Sequence, residues 1–345
     1  MERVKKLAKK GLQGPLYNQV VLPKHLAVAV LANVKSGFPA RGMTVIGVTG
    51  TNGKTSTCFF IHRMLMEAGY RVGLITTVSY GVNDNQKPQI GHMTSQPIEL
   101  LMQRIQEMKN IGVDFLVLEV TSHALAQYRT LGVPVDIAVF TNLTQDHLDY
   151  HGSLAAYRAA KVKLFKMAAR NKKGRQLGIV NLDDENASYF ASVVPNVMCY
   201  SLSERPDSAF PRNLKLSADG SSYKTTINGV DLQINCAIPG KFNVANTLAA
   251  ASVGVAMGLK AEVIEKGLAS VTEIAGRMSK VEAGQDFTVL VDFAHTPDAL
   301  EKVLTAARDI AKGKVRVVFG ATGDRDKTKR PIMGKIAAEI ADMSI

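Results

Sequence analysis

The sequence predicts an α/β protein with a P-loop NTPase-like doubly wound parallel sheet, followed by a partial Rossmann-like α/β unit. Three observations predict this class. From residue 44 to about residue 200, short apolar runs alternate with helical segments, as in a parallel sheet that has helices on both faces. The first apolar run leads directly into the glycine-rich segment GTNGKT, and a second, shorter alternation begins near Gly276.

Each element is predicted from its own local pattern. Buried parallel strands are expected where apolar and β-branched residues run together, in TVIGVTG, RVGLITTV, DFLVLEV, DIAVFTNL and QLGIVNL. Helices are expected where apolar residues recur every three to four positions, from Ser56 to Glu67 and in IELLMQRIQEMKNIG and SLAAYRAAKVKLFKMA. Polar alternation and the turn pairs Asp219-Gly220 and Asn228-Gly229 predict a small antiparallel excursion over residues 205–238.

The chain is predicted to contain three regions, because 345 residues exceed the usual size of a single core. Residues 1–40 form a short helical or irregular lead-in, residues 41–275 the central domain, and residues 276–345 a partial C-terminal domain. The last region contains two clear strands and two helices before a would-be strand at 343–345. A unit of this size is small for burying a hydrophobic core of its own, so the chain is expected to be truncated.

Composition narrows the function classes. There are 42 Lys and Arg against 30 Asp and Glu, and the resulting net charge of +12 suits anionic small-molecule ligands such as nucleotides. No basic module interleaved with aromatic residues is present, so nucleic acid is not an expected partner. The three cysteines are far apart, which argues against a zinc site or a disulfide framework. No stretch reaches the roughly 18 apolar residues of a membrane span, and a cytoplasmic, monomeric protein is expected.

The segment VIGVTGTNGKTSTCFF predicts a phosphate-binding loop between a buried strand and a helix. Gly50 and Gly53 let the backbone bend so that successive N–H groups face one site. Lys54 adds a positive charge for the outer phosphates, and the hydroxyl of Thr55 is a typical magnesium ligand. The loop is a variant, because Val48 stands where the common pattern has glycine. The alternative is an ordinary glycine-rich turn.

Polar side chains also follow two later strands. Glu119 ends the run DFLVLE, at the edge of the sheet where open α/β proteins place ligand-facing groups. The next strand leads into TNLTQDHLDYHGS, in which His147 and His151 are four residues apart. The turn residues around them argue against a single helical face, so a zinc site formed by this pair is a weak hypothesis. Coordination of magnesium by one imidazole is the more specific hypothesis. Lys161 lies on the following helix, where a charged side chain is ordinarily solvated.

Seven segments together resemble the Mur ligases, in particular the type that forms the tripeptide. They are TGTNGKTST, EVTSHAL, TNLTQDHLDYHGSLAAYRAAK, GKFNVANTLAA, GRMSKVE, VDFAHTPDAL and FGATGDRDKTKRP, in this order. The resemblance covers residues 41–345. It implies a Mur ligase central domain followed by part of the family's C-terminal domain.

The resemblance implies an ATP-dependent amide ligase of peptidoglycan precursor synthesis. ATP phosphorylates a substrate carboxylate, and an amine then displaces phosphate to form an amide, while the protein supplies positioning and charge stabilisation. Lys54 and Thr55 would bind the ATP phosphates and magnesium, and Glu119 and His147 would hold two magnesium ions. Lys161 would be carbamylated and would join the metal site, because carbamylation replaces a cation with an anion.

The resemblance assigns further residues to ATP and to the substrates. ATP contacts are expected from the loop and from three later motifs, at Gly50, Thr51, Asn52, Gly53, Ser56, Asn243, Asn246, Arg277, Asp292 and His295. The muramoyl dipeptide is expected at Thr94, Ser95, Thr121, Gln127 and Arg129, and the carboxylate of the incoming amino acid at Arg325. Outside these motifs, residues such as Asn246 or Arg325 would be ordinary cap, turn or surface residues.

Two departures from the family leave alternatives open. About 40 residues precede the loop, where the family has a UDP-binding domain of roughly 100 residues. The segment that selects diaminopimelate or lysine would lie beyond residue 345. A ligase for another carboxylate is therefore an alternative, of the folylpolyglutamate or cyanophycin type or acting on lipid-linked muropeptides. An ATP-binding module without turnover and a salt-sensitive nucleic-acid binder are the other two.

Overall fold

The computed structural model of the protein describes residues 15–89, 95–321 and 328–345, with side chains described from residue 22 onward. Its strands are β1 (Thr44–Thr49), β2 (Val72–Ile75), β3 (Ser79–Val82), β4 (Asn85–Pro88), β5 (Phe115–Glu119), β6 (Val135–Phe140), β7 (Leu177–Asn181), β8 (Asn196–Tyr200), β9 (Ser208–Ala209), β10 (Arg212–Ser217), β11 (Gly220–Ile227), β12 (Val230–Cys236), β13 (Ser279–Val281), β14 (Val289–Val291), β15 (Arg316–Val317) and β16 (Met343–Ser344).

The helices connect these strands and cover the sheet. They are α1 (Pro15–Lys35), α2 (Lys54–Glu67), α3 (Ile98–Ile111), α4 (Ser122–Ala126), α5 (Leu148–His151), α6 (Leu154–Arg170), α7 (Ala187–Ala191), α8 (Lys241–Ala256), α9 (Ala261–Ala269), α10 (Pro297–Ile310) and α11 (Lys329–Ile340).

The described residues form a nine-stranded sheet in the order β4-β3-β2-β5-β1-β6-β7-β8-β9. Neighbouring strands are parallel except in the β2–β3 and β3–β4 pairs. The central strand β1 pairs with β5, where Val48 lies beside Glu119, and with β6, where Val48 lies beside Val139. The predicted doubly wound α/β fold is therefore confirmed, with an antiparallel hairpin added at one edge.

Alternate side chains of the central strands enter two hydrophobic cores on opposite faces of the sheet, as the twofold period of a strand requires. On one face, Ile46 packs in a core with Phe60 of α2 and Leu248 of α8. On the other, Val45 packs in a core with Met102 of α3 and Phe165 of α6. All these side chains are buried, so the loops at the carboxyl ends of the strands are held by a rigid base.

The predicted antiparallel excursion is the sheet β10-β11-β12. Its second turn contains Asn228 and Gly229, with φ angles of 47° and 81°. Positive φ at both central residues is the pattern of a two-residue type I′ turn, which asparagine and glycine adopt at low cost.

The C-terminal region contains two small sheets, antiparallel β13–β14 and parallel β15–β16. Helices α10 and α11 pack together over a third core that includes Leu300, Leu304 and Met333. The would-be strand at the end of the sequence forms β16. Division of the chain at about residue 275 into separate domains stays a prediction.

Two sequence predictions differ from the structure. Helix α2 begins at Lys54, so the predicted start at Ser56 is wrong by two residues. Gly53 precedes the helix with φ 83°, and this left-handed residue lets the helix begin directly after the turn. The β3–β4 hairpin was not predicted, because β3 has only two apolar side chains, Tyr80 and Val82, and β4 is polar and largely exposed.

Acid is expected to destabilise the fold through His62 on α2. This side chain is 2% exposed, neither ring nitrogen has a hydrogen bond of ordinary geometry, and burial lowers its pKa to about 4. Between pH 6.5 and pH 4 this histidine binds a proton in the unfolded chain but not in the folded chain. The free energy of unfolding therefore falls as the pH falls. The variant His62→Leu lacks this titrating group. Between pH 7.5 and pH 5 it is expected to lose about 2 kcal/mol less unfolding free energy than the wild type. Urea unfolding at both pH values measures this, and an unchanged loss would contradict it.

Candidate active site

The predicted phosphate loop lies between β1 and α2, at the carboxyl edge of the central strand. Gly50 and Gly53 have φ angles of 152° and 83°, in the region that favours glycine. A Cβ atom at Gly50 would overlap the hydroxyl of Thr141, and one at Gly53 would overlap the side-chain amide of Asn246. Both glycines are therefore required by shape.

Hydrogen bonds with Thr141 and Asn142 fix the backbone of the loop. The N–H of Thr51 donates to the carbonyl of Asn142 at 2.8 Å, and the N–H of Asn52 donates to Oδ1 of the same residue at 2.9 Å. Thr141 Oγ1 donates to the carbonyl of Asn52 at 2.6 Å. The next N–H groups belong to the first turn of α2, where a helix has no internal acceptors, and they form a cradle for an anion.

Two lysines reach the loop from different elements. Lys54 Nζ donates to the carbonyl of Thr51 at 2.8 Å, and Lys161 Nζ, from α6, donates to the carbonyl of Gly50 at 2.6 Å. Lys161 is 1% exposed, so the alternative of a solvated surface lysine is wrong. Burial lowers the pKa of Lys161 well below its usual range, and the charge of Lys54 lowers it further.

The carboxylate of Glu119 lies directly behind the loop. Glu119 is 3% exposed, and its Oε2 accepts from Thr55 Oγ1 at 3.0 Å and from the N–H of Thr77 at 2.9 Å. Thr55 Oγ1 in turn accepts from Arg277 Nη2 at 3.0 Å. The structure thus brings together three predicted residues, and Arg277 comes from a distant part of the chain.

His147 follows β6 at the same edge of the sheet. It has φ 54°, and its Nε2 lies 3.3 Å from Asp146 Oδ2. Burial lowers the pKa of His147 to about 3, despite the opposing effect of Asp146. The imidazole is therefore neutral at neutral pH, which is the form that binds a metal ion.

Two further histidines surround this position: His151, which the sequence offered only as a weak zinc partner of His147, and His123, which it did not single out. The ring of His123 lies 4.2 Å from that of Tyr150, and burial lowers its pKa to about 4. The Nε2 atom of His151 lies 3.0 Å from Ser122 Oγ, its ring is 5.2 Å from that of Tyr157, and burial lowers its pKa to about 3. The signal for both was their place in short segments that follow β5 and β6, the two strands that flank β1.

The residues present fit magnesium better than zinc. In the part of the chain that the structure describes, no three His, Cys, Asp or Glu side chains converge on one point. The site offers the Thr55 hydroxyl, the Glu119 carboxylate and the neutral His147 ring. Magnesium ordinarily takes one or two such protein ligands and completes its shell with water and phosphate oxygens.

The described residues among those predicted to hold the dipeptide form one hydrogen-bonded chain. Ser95 Oγ and Thr121 Oγ1 are 2.9 Å apart, and Arg129 Nη1 donates to the carbonyl of Ser95 at 2.8 Å. Arg129 Nη2 also donates to Gln127 Oε1, and Gln127 Nε2 donates to the hydroxyl of Tyr150 at 3.0 Å. Tyr150 was not predicted. The predicted residues Thr94 and Arg325 lie outside the described residues.

The predicted adenine-binding amides are engaged within the protein. Asn243 and Asn246 are 1% and 5% exposed. Asn246 Nδ2 donates to Asn243 Oδ1 at 2.9 Å, and Asn243 Nδ2 donates to the carbonyl of Pro239 at 2.9 Å. Thr57 Oγ1 donates to Asn246 Oδ1 at 3.3 Å. These contacts brace α2 behind the loop, and a role in binding adenine stays a prediction.

Of the C-terminal residues predicted to contact ATP, Arg277 reaches the loop through its contact with Thr55. Asp292 accepts from the N–H groups of Met278 and Ala294 at 2.9 and 2.8 Å. The Arg277 guanidinium lies 4.7 Å from the centre of the Phe293 ring. His295 Nδ1 is 2.9 Å from the carbonyl of Phe293, and burial lowers the pKa of its ring.

The fold and site define a P-loop protein, with a phosphate cradle and a carboxylate at the switch between parallel strands. Residues 48–254 match the Mur ligase middle domain, and residues 276–345 match the domain described as "Mur ligase, glutamate ligase domain". The chain belongs to the Mur ligase family.

Curated relatives carry the name UDP-N-acetylmuramoyl-L-alanyl-D-glutamate–2,6-diaminopimelate ligase. The protein from Geobacillus thermodenitrificans is 39% identical over 331 residues, which are 94% of this chain and 67% of the relative. The protein from Syntrophomonas wolfei is 40% identical over 323 residues, 92% of this chain and 64% of the relative. The chain thus spans about two thirds of the length of the curated relatives it matches.

Solved structures show the same fold. The structure of a UDP-N-acetylmuramoyl-L-alanyl-D-glutamate–2,6-diaminopimelate ligase matches with a TM-score of 0.70 at 30% identity. The match covers 88% of this chain and 61% of the ligase chain. Mycobacterium tuberculosis folylpolyglutamate synthase complexed with ADP and AMPPCP has a TM-score of 0.76 at 17% identity, covers 94% of this chain and 80% of its own, and supports the fold alone. In the described part of this chain, no helix is long and apolar enough to cross a membrane.

Proposed function

We propose that this chain carries the central part of an ATP-dependent ligase that joins an amino acid to a muramoyl dipeptide. The γ-phosphoryl group of ATP passes to an oxygen of the dipeptide carboxylate, and ADP leaves. The amine then attacks the carbonyl carbon, the bond to phosphate breaks, and the amine loses a proton as the amide forms. The observation that carries the proposal is the contact of Thr55 in the phosphate loop with the buried carboxylate of Glu119.

In this proposal the loop residues bind and orient the polyphosphate. The N–H groups at the start of α2 and the charge of Lys54 hold the phosphate oxygens. Thr55, Glu119 and His147 would hold Mg²⁺, of which two ions are proposed, and the bound metal would supply positive charge for the phosphate oxygens. Arg277 adds a positive charge from the C-terminal region. This division assigns catalysis mainly to positioning and electrostatic stabilisation.

Carbamylation of Lys161 is part of the proposal and has a physical basis in its surroundings. A lysine reacts with CO₂ only as the neutral amine, whose nitrogen attacks the carbon while a proton is lost. Burial and the nearby charge of Lys54 favour that neutral form. The product is an anionic carbamate beside the metal-binding residues, where its charge is attracted rather than repelled.

The substrate is proposed to be UDP-N-acetylmuramoyl-L-alanyl-D-glutamate, with diaminopimelate as the incoming amine. The names of the curated relatives support both assignments. The linked side chains of Ser95, Thr121, Gln127 and Arg129 offer hydroxyl, amide and guanidinium groups for a carboxylate-rich peptide.

The test measures phosphate release from ATP and Mg²⁺ with the muramoyl dipeptide, adding diaminopimelate, lysine or no amine. Release is expected to need the dipeptide and diaminopimelate together, and Lys54→Ala is expected to abolish it. ATP binding without release under any of these conditions would contradict the ligase proposal and leave a nucleotide-binding module. Salt-sensitive binding of DNA or RNA that ignores ATP would contradict nucleotide binding as the chain's main role.

A further inference from the structure

Asp298, in the first turn of α10, contacts the phosphate loop. Asn52 Nδ2 donates to Asp298 Oδ2 at 2.7 Å, although the two residues are 246 positions apart. On its other side, Lys302 Nζ lies 2.9 Å from Asp298 Oδ1 and 3.0 Å from Oδ2. The side chain of Asp298 is 26% exposed and that of Lys302 is 43% exposed, so water screens the lysine more.

An acidic residue in the first helical turn ordinarily interacts with the helix dipole alone. Here Thr296 already caps the helix, since its Oγ1 accepts from the N–H of Ala299 at 3.3 Å. The Asp298 carboxylate is directed instead at Asn52, which directly precedes Gly53 and the N–H groups of the cradle. Its negative charge therefore lies at the rim of a site whose shape suits anions.

The other charges around the loop divide by sign. Lys54 and Arg277 are basic and favour a bound polyphosphate, whereas Glu119 and Asp146 are acidic and adjoin the proposed metal-binding positions. Asp298 is also acidic, but its contact is with Asn52 of the loop and not with a proposed metal-binding residue. A phosphate in the cradle would be repelled by it, and the repulsion would grow with each phosphate added.

We propose that Asp298 is a specificity-determining residue that weakens nucleotide binding in proportion to the number of phosphates. Its charge offsets part of the attraction of Lys54 and Arg277, and its contact with Asn52 makes the loop's affinity depend on where α10 lies. The inference rests on the proposed function, because it takes ATP as the ligand of the loop. Its test, however, needs only binding and no turnover.

The experiment compares wild-type protein and Asp298→Asn by calorimetric titration with ATP, ADP and adenosine in the presence of Mg²⁺. Asparagine keeps an oxygen that accepts from Asn52 and removes the charge. We expect ATP to bind about fivefold tighter to the variant, ADP about twofold tighter, and adenosine equally well. The difference is expected to shrink at about 0.5 M salt, where charges are screened.

Two controls separate charge from structure. Asp309→Asn makes the same change on the same helix, about 16 Å further along its axis, and should leave all three affinities unchanged. Lys302→Met should weaken ATP binding, which is a change of opposite sign. Equal shifts for all three ligands, or no shift in Asp298→Asn, would overturn the inference. Failure of wild-type protein to bind ATP would instead overturn the proposed function.

Discussion

Replacement of Lys161 by methionine is expected to lower amine-dependent phosphate release about 100- to 1,000-fold. Methionine preserves much of the apolar stem but has no amine to accept CO₂ and no donor for the carbonyl of Gly50, which lies 2.6 Å from Nζ. Both the proposed carbamate and the support of the loop are therefore lost. Steady-state rates at saturating ATP measure the effect, and ATP binding should weaken far less than turnover.

Lys163→Met is the matched control for this variant. Lys163 lies on the same helix and is half-buried, with its Nζ 3.5 Å from the carbonyl of Leu125. Its loss is expected to change the rate less than about threefold, because it is placed outside the site. Labelling with ¹³C-bicarbonate should give a carbamate resonance in the wild type and in Lys163→Met and none in Lys161→Met. A resonance that survives loss of Lys161 would place the carbamate elsewhere.

The second large effect is expected for Glu119→Gln, with turnover reduced about 100-fold or more and the Mg²⁺ requirement raised. Glutamine is nearly the same size and keeps an acceptor for Thr55 or Thr77, but it removes the negative charge that would attract the metal. Activity measured across a Mg²⁺ titration separates the two effects. Excess Mg²⁺ should recover part of the lost rate.

Glu67→Gln controls for loss of a carboxylate. Glu67 ends α2 and forms a surface ion pair with Lys266, so its removal should leave the Mg²⁺ dependence unchanged. Normal Mg²⁺ dependence in Glu119→Gln would count against the metal site as proposed. Thermal unfolding of each variant checks that the fold survives the substitution.

The sequence was sufficient to predict the central sheet and the loop because their signals are local. The apolar run of β1, the glycines of the loop and Lys54 stand within a dozen residues, and each has one clear physical meaning. Glu119 was predictable from its place at the end of a buried strand. The hairpin β3–β4 was not, since β4 is polar and is held by its pairing with β3 at the edge of the sheet.

Contacts between residues that are far apart in the sequence could not be predicted from local sequence patterns. The family resemblance assigned Asn243 and Asn246 to adenine, but the partners of Asn246 in the folded chain include Thr57, nearly 200 residues earlier. The contact of Asp298 with Asn52 likewise spans most of the chain and has no local signal. Lys161 looked like a solvated residue by helical position alone, and only the structure shows it enclosed beneath the loop.

The anchoring of the phosphate loop by Thr141 and Asn142 has a kinetic consequence. Because the hydrogen bonds of these residues fix the backbone around Thr51 and Asn52, little conformational entropy remains to be lost when a ligand arrives. Association should then be limited by diffusion and charge rather than by loop rearrangement. Differences in affinity among ligands of this loop should consequently appear mainly as differences in how long each ligand stays bound.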